Sequence, residues 1–202
     1  MGVLHIYVLP RPGVDDDLLA LAHACRPALL EHPIDPASPP QLGDPGTLHI
    51  TVEMVADVAS ADIGADERQD LIRALRKELA TAAPFGTQVG PPIANSAGAV
   101  LDVWPDDEAV ALQERVRSAI RSTRGETALQ HQTGRPHMSL GYAYDSGDSD
   151  ELNSTLRNTI TPRRAPLQVD AVHLLDVRYD TAPDTGGWRM TWKSLAELPL
   201  TG

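Results

Sequence analysis

Apolar and polar positions alternate along the chain with two periods. At the start, "VLHIYVL" is a mostly apolar run closed by "PRPG", the pattern of a strand and its stop. In "DDDLLALAHACRPALLE", Leu18, Leu21, Cys25 and Leu29 fall at helical spacing behind an acidic start suited to the positive end of a helix dipole. Pro27 is expected to kink or restart that helix. Residues 33–46, "PIDPASPPQLGDPG", hold five prolines and two glycines and predict a stiff loop. The β-branched stretch "TLHITVEMVADV" predicts a strand, and Leu71, Leu75 and Leu79 mark a helix in "DERQDLIRALRKELATA". "FGTQVG" and "AVLDVW" read as two strands joined across "PPIANSAG", with Pro105 ending the second. Leu112, Val116 and Ile120 mark a third helix in "DDEAVALQERVRSAIRS", and "RPHMSLGYAY" is a further strand. Leu152, Leu156 and Ile160 mark a fourth helix behind the cap-like "DSGDSD". The C-terminal part predicts two strands, "LQVDAVHLLDVRYD" and "WRMTWKSLAELPL", with a turn at "APDTGG". Helices and strands interleaved in this way, with hairpin-like pairs, point to an α+β class with substantial antiparallel sheet.

Composition narrows the function. A chain of 202 residues with 42% hydrophobic content can bury a sizeable core, as one large domain or two intimately packed lobes. Aromatic residues make up only 4%, so Leu, Val, Ile and Ala must build most of that core. The single cysteine, Cys25, cannot form an internal disulfide, and its apolar helical setting reads as a small buried hydrophobe. No apolar run reaches the length of a membrane span, and "MGVLHIYVLPRPG" lacks the basic start and long apolar region of a secretion signal, so a cytoplasmic protein without membrane attachment is expected. The net charge of −11 makes the surface a poor host for a long duplex, whose affinity comes from many Lys and Arg contacts to phosphate. A nucleic-acid ligand is therefore expected to be an end or a small fragment. The oligomeric state is left open.

Two tetrapeptides carry the chemistry. "HITV" at 49–52 and "HMSL" at 137–140 share the order His, apolar, hydroxyl, apolar. In a strand, successive side chains point to opposite faces, so His49 and Thr51 share one face, as do His137 and Ser139. A strand histidine bonded to a neighbouring hydroxyl is ordinary, and one such motif means little. Two among seven histidines would arise by accident in roughly 1% of chains of this composition, which favours a shared site. Displacement at phosphorus needs a base for the attacking oxygen and an acid for the leaving one, and histidine serves either role near neutral pH. Hydroxyls can donate to the non-bridging oxygens as charge develops. This logic requires no metal or other cofactor. A metal site would also want a third ligand such as a carboxylate, and none stands on the histidine face within either tetrapeptide, although Glu53 just beyond the first shares strand parity with His49 and Thr51.

The two tetrapeptides resemble the paired motifs of the two-histidine phosphoesterase superfamily, in its bacterial branch of 2′-5′ RNA ligase-like and cyclic phosphodiesterase proteins. Their separation, 137 − 49 = 88 residues, suits that family, as does the layout of elements around them. The resemblance implies a single bilobal domain over residues 1–202. Two lobes related by a pseudo-two-fold axis, each with antiparallel sheet, would flank a central groove, with helices outside. It also implies His49 and His137 as metal-independent acid and base on a 2′,3′-cyclic phosphate or 2′-5′ phosphodiester, with Thr51 and Ser139 as phosphate donors; which histidine is the base is undecided here. The family's second motif is often followed by Ala-Arg, whereas Gly141 and Tyr142 follow here. Arg135, two places before His137, is a candidate substitute, and a surface cation at a strand end is the alternative.

Among the remaining residues, His5 and Tyr7 share a face of the first strand and are candidates for a base-stacking wall, with a core role as the alternative. His131 falls in a polar loop, and His173 reads as packed. Trp188 and Trp192 share a face that packing explains, with substrate contact as the alternative. The expected activity is hydrolysis of 2′,3′-cyclic phosphate at RNA ends or of small cyclic nucleotides. The alternatives are 2′-5′ RNA ligation on the same fold, or a non-catalytic nucleotide-binding module.

Overall fold

A computed structural model of the chain describes residues 2–41, 44, 46–131, 134–182 and 185–202. In chain order its elements are β1 (Gly2–Val8), α1 (Asp16–Leu30), β2 (Ile34–Pro36), β3 (Ile50–Met54), α2 (Ala65–Leu79), β4 (Phe85–Asn95) and β5 (Gly98–Trp104). There follow α3 (Asp107–Arg124), β6 (His137–Ala143), α4 (Ser149–Thr159), β7 (Ala165–Val169), β8 (Ala171–Thr181) and β9 (Trp188–Pro199). The helices begin as their sequences ask. Asp148 caps α4 by accepting from the backbone N–H groups of Asp150 and Glu151, and Glu67 reaches back to the N–H of Gly64 at the start of α2. α1 continues to Leu30 through Pro27, where a kink or restart was expected.

All the strands join one antiparallel sheet in the order β7-β4-β5-β6-β3-β1-β8-β9, with β2 added beside β6. The α+β expectation, with helices outside, holds, and the two lobes are halves of a continuous sheet that meet where β3 pairs with β6. α1 and α4 pack on the β4–β7 side, and α2 and α3 on the β3–β9 side. Leu4, Ile6 and Val8 of β1, Ile50 and Val52 of β3, and Met138 and Leu140 of β6 bury themselves against the helices. The opposite face carries a small cluster of its own, Tyr7, Leu175, Val177 and Met190. Among the described residues no helix is long and apolar enough to cross a membrane.

Three details differ from the pattern reading. β4 extends through Pro91 and Pro92 to Asn95, across the segment read as a connection. A register shift between Val89 and Pro92 interrupts the ladder where the prolines fall, which is how a strand tolerates residues without an N–H. The run at 167–180 is two strands that part at Asp170, because β7 pairs with β4 and β8 with β1. The short β2 lies inside the predicted Pro-rich loop and pairs with β6; residues 42, 43 and 45 of that loop, 132 and 133 beside His131, and 183 and 184 of the expected turn at 182–187 lie outside the described residues.

Each histidine strand carries one extra residue at the same place. Ile6 pairs with Glu53 but Tyr7 with Thr51, so Val52 bulges from β3; Val100 pairs with Ser139 but Ala99 with Gly141, so Leu140 bulges from β6. A bulge places two successive residues opposite one and reverses the alternation beyond it. Both bulges fall on the fourth residue of the tetrapeptide.

Candidate active site

Ile50 of β3 lies opposite Met138 of β6, so antiparallel pairing sets His49 across from Ser139 and Thr51 across from His137. The N–H of Ser139 donates to the carbonyl of His49 at 3.3 Å. The four side chains thus form a square on the face away from the helices. The imidazoles occupy one diagonal and the hydroxyls the other, with diagonal neighbours about 7–8 Å apart in such a ladder. The sheet brings together the four residues that the tetrapeptides single out.

Both imidazoles are held alike. His49 Nδ1 lies 2.8 Å from the carbonyl of Thr47, and His137 Nδ1 lies 2.8 Å from the carbonyl of Arg135. A carbonyl can only accept, so each Nδ1 carries its proton and, in the neutral ring, Nε2 is left with a lone pair. In each case the fixing group is the backbone two residues before the histidine.

Their surroundings differ. His49 is only 1% exposed, while His137 is half-buried. The ring of Tyr7 stacks on His49 with centroids 4.2 Å apart, and Trp192 meets it edge-on at 5.8 Å. Trp192 belongs to the edge strand β9, three strands from β3, a separation of about 14 Å in a flat sheet. The contact exists because the sheet curls, closing β9 over the histidine face. Burial, the largest cause, pushes the His49 pKa down to about 4; the Thr47 carbonyl opposes the shift and the nearby His137 adds to it.

The hydroxyls have their own supports. Ser139 Oγ accepts from the hydroxyl of Tyr142 at 3.2 Å. The Tyr7 hydroxyl interacts with Thr51 and Tyr179 and lies 3.8 Å from Met190 Sδ. Tyr7 is fully buried, so its ring supports His49 and is closed to a base. Burial raises the pKa of Tyr7 and of Tyr142, so both phenols keep their protons. His5, a candidate for the groove wall with a core role as the alternative, is buried in the core, edge-on to Tyr7, and among the described residues neither of its ring nitrogens has a hydrogen-bond partner. Burial lowers its pKa to about 3.

Two residues placed by strand parity meet a different geometry. Arg135 points its guanidinium at Asp106, 3.2 Å away and largely exposed, and it is the Arg135 carbonyl that touches His137. Glu53 does not share the groove face. The Val52 bulge turns it toward the helices, where it is fully buried against the Arg117 guanidinium of α3. Strand parity places it beside the histidines only when the bulge is ignored.

An open cleft of about 510 Å³ adjoins the square, lined by Arg26, Asp35, Ser38, Thr47, Tyr142 and Trp192 among others. A more apolar hollow of about 540 Å³ is lined by Val3, Tyr142, Tyr179, Trp188 and Met190. The two share Tyr142, Trp188 and Met190. Sequence reasoning passed over Tyr142, because five residues from His137 parity assigns it to the opposite face. The Leu140 bulge returns it to the face of Ser139.

The sequence model of the 2′-5′ RNA ligase superfamily matches residues 49–181, a span that contains both tetrapeptides. No curated protein matches the sequence. Among solved structures, TT0787 of Thermus thermophilus aligns with a TM-score of 0.68 at 16% identity, covering 99% of this chain and 98% of that one. E. coli LigT complexed with 3′-AMP aligns with a TM-score of 0.63 at 14% identity, and LigT complexed with NADP+ with 0.62 at 13%; each covers 100% of this chain and 99% of that one. At these identities the likeness is one of fold.

Proposed function

Because the chain belongs to the 2′-5′ RNA ligase superfamily, whose members are phosphoesterases and ligases, we propose that it hydrolyses 2′,3′-cyclic phosphates at RNA ends or in small cyclic nucleotides. The observation that carries this reading is the square of His49, Thr51, His137 and Ser139, with both Nδ1 atoms tied to carbonyls. A phosphate seated over the square has an imidazole on each side, as in-line displacement demands, and a hydroxyl donor on each remaining corner. LigT, the likeness in fold, has been solved with 3′-AMP, a small nucleotide of the size this groove would take.

His49 is the base in this mechanism and His137 the acid. His49 Nε2 takes a proton from water as its oxygen bonds to phosphorus. The bond from phosphorus to one ribose oxygen breaks, and His137, entering protonated, supplies the proton that oxygen needs. Hydrolysis leaves a phosphomonoester and a free ribose hydroxyl, and the two histidines have exchanged roles. The burial of His49 favours this direction. With a pKa of about 4 it is neutral at pH 7, whereas as the acid only about one molecule in a thousand would hold the required proton.

The test is turnover of nucleoside 2′,3′-cyclic monophosphates with EDTA present, comparing the wild type with His49→Ala and His137→Ala. Loss of turnover in both variants is expected. Full activity in either would refute the acid–base pair, and a requirement for added metal would refute its metal independence.

A further inference from the structure

The hydroxyl of Tyr142 donates to Ser139 Oγ, and the same ring forms part of the wall of both hollows beside the square. An Oγ that already accepts one hydrogen bond keeps its own proton to give away, and the bond restricts where that proton can point. Tyr142 stands half-buried where the open cleft and the apolar hollow share lining residues, one hydrogen bond from Ser139. The surface beyond it, formed by Val3, Tyr179, Trp188 and Met190, is apolar and aromatic, and Trp188 is 61% exposed. Such a surface offers a flat, weakly polar group a place to stack and offers a chain of phosphates nothing.

Resting on the proposed hydrolase reading, we propose that Tyr142 is a positioning and specificity-determining residue of this site. Its hydroxyl aligns Ser139 on the phosphate, and its ring is the wall against which the nucleobase attached to that phosphate lies. Base recognition and phosphate alignment thereby meet in one side chain, on the Ser139 side of the square. Burial raises the pKa of the phenol above its ordinary value, so it keeps its proton and remains a donor to Ser139.

The two roles separate in two variants and two substrates. Tyr142→Phe removes the hydroxyl and keeps the ring, and is expected to lower kcat about three- to tenfold on both a nucleoside 2′,3′-cyclic phosphate and the base-free methyl riboside 2′,3′-cyclic phosphate. In a Ser139→Ala background the same change should have no further effect. Tyr142→Leu removes the ring, and should raise KM for the nucleoside substrate about tenfold beyond Phe while leaving KM for the base-free one unchanged. An equal loss from Tyr142→Phe with and without Ser139 would overturn the positioning role, and equal KM values for Leu and Phe would overturn the wall. If the wild type hydrolyses neither substrate, the hydrolase reading fails. A titration of 3′-AMP followed by tryptophan fluorescence still decides the wall: weaker binding in Leu but not Phe upholds it, and equal binding overturns it.

Discussion

Removing the cover from His49 should move the acid limb of the reaction. Trp192 and Tyr7 enclose that ring, and its pKa of about 4 arises first from burial. Trp192→Ala strips the edge-on partner and opens the imidazole to water, with full relief returning it to the ordinary value of about 6.5. At pH 5.5, a base with pKa 4 is about 97% neutral and one with pKa 6.5 about 9%, so kcat/KM should fall by up to about tenfold from this cause alone. At pH 8 both forms are neutral and the effect vanishes. Because Trp192 also lines the cleft, the position of the limb, and not the height of the curve, carries the test. The assay is the kcat/KM profile from pH 3.5 to 8.5 on one nucleoside 2′,3′-cyclic phosphate. A wild-type acid limb near 4 that climbs in Trp192→Ala is the expected result. A wild-type limb already near 6.5, or one the substitution leaves in place, would refute the argument that a buried neutral His49 is the base.

Stability should also fall in acid. His5 and His49 have folded pKa values of about 3 and about 4, so between those values and about 6.5 the unfolded chain binds more protons and stability drops as pH falls. By pH 5 the loss is up to about 2 kcal/mol for each group, measurable by urea titration at pH 7.5 and pH 5. His5→Leu should remove roughly half of that loss and, by deleting two nitrogens without a hydrogen-bond partner among the described residues, leave the protein at least as stable at pH 7.5; a destabilisation of more than about 1 kcal/mol there would contradict it. Arg117→Met takes the guanidinium from fully buried Glu53 and should cost about 3 kcal/mol in the same titration, a cost below 1 kcal/mol showing that the pair matters little. Gly141→Ala would set a Cβ 2.7 Å from the Asp35 carbonyl and from Ile34 Cγ2, so β2 must shift; a loss of about 1–3 kcal/mol is expected, and an unchanged urea midpoint would show that β2 yields freely.

The four helices were legible because each shows its apolar residues at a single period and its cap or acidic start close by. The strands were legible where they are locally apolar, and their limits were hidden where partners decide them. Nothing in "QVDAV" shows that Val169 faces a neighbour on β4 while Ala171 begins a strand beside β1, because that division at Asp170 is made by residues far away in sequence. β2 is three residues of a Pro-rich stretch, and it is a strand because β6 offers it an edge at Gly141, where a side chain would collide with it. Composition reads such a segment as loop since the pairing that defines it is tertiary.

The candidate site was legible only up to the fourth residue of each tetrapeptide. Strict alternation predicts Glu53 on the histidine face and Tyr142 on the helix face, and the structure has both reversed. One extra residue in each strand accounts for both reversals, since a bulge shifts every later side chain to the other face. Beyond Val52, this exchange takes an acidic side chain away from the square and buries it on Arg117. Beyond Leu140, it brings a phenol onto Ser139. The square is thus left with imidazoles, hydroxyls and aromatic walls, a set that suits the anionic phosphate of the proposed reaction, whereas an unbulged β3 would aim a carboxylate at the same face and repel such a ligand. The two bulges occupy equivalent positions in strands 88 residues apart, so the near-symmetry of the site extends past the residues that the sequence motif records.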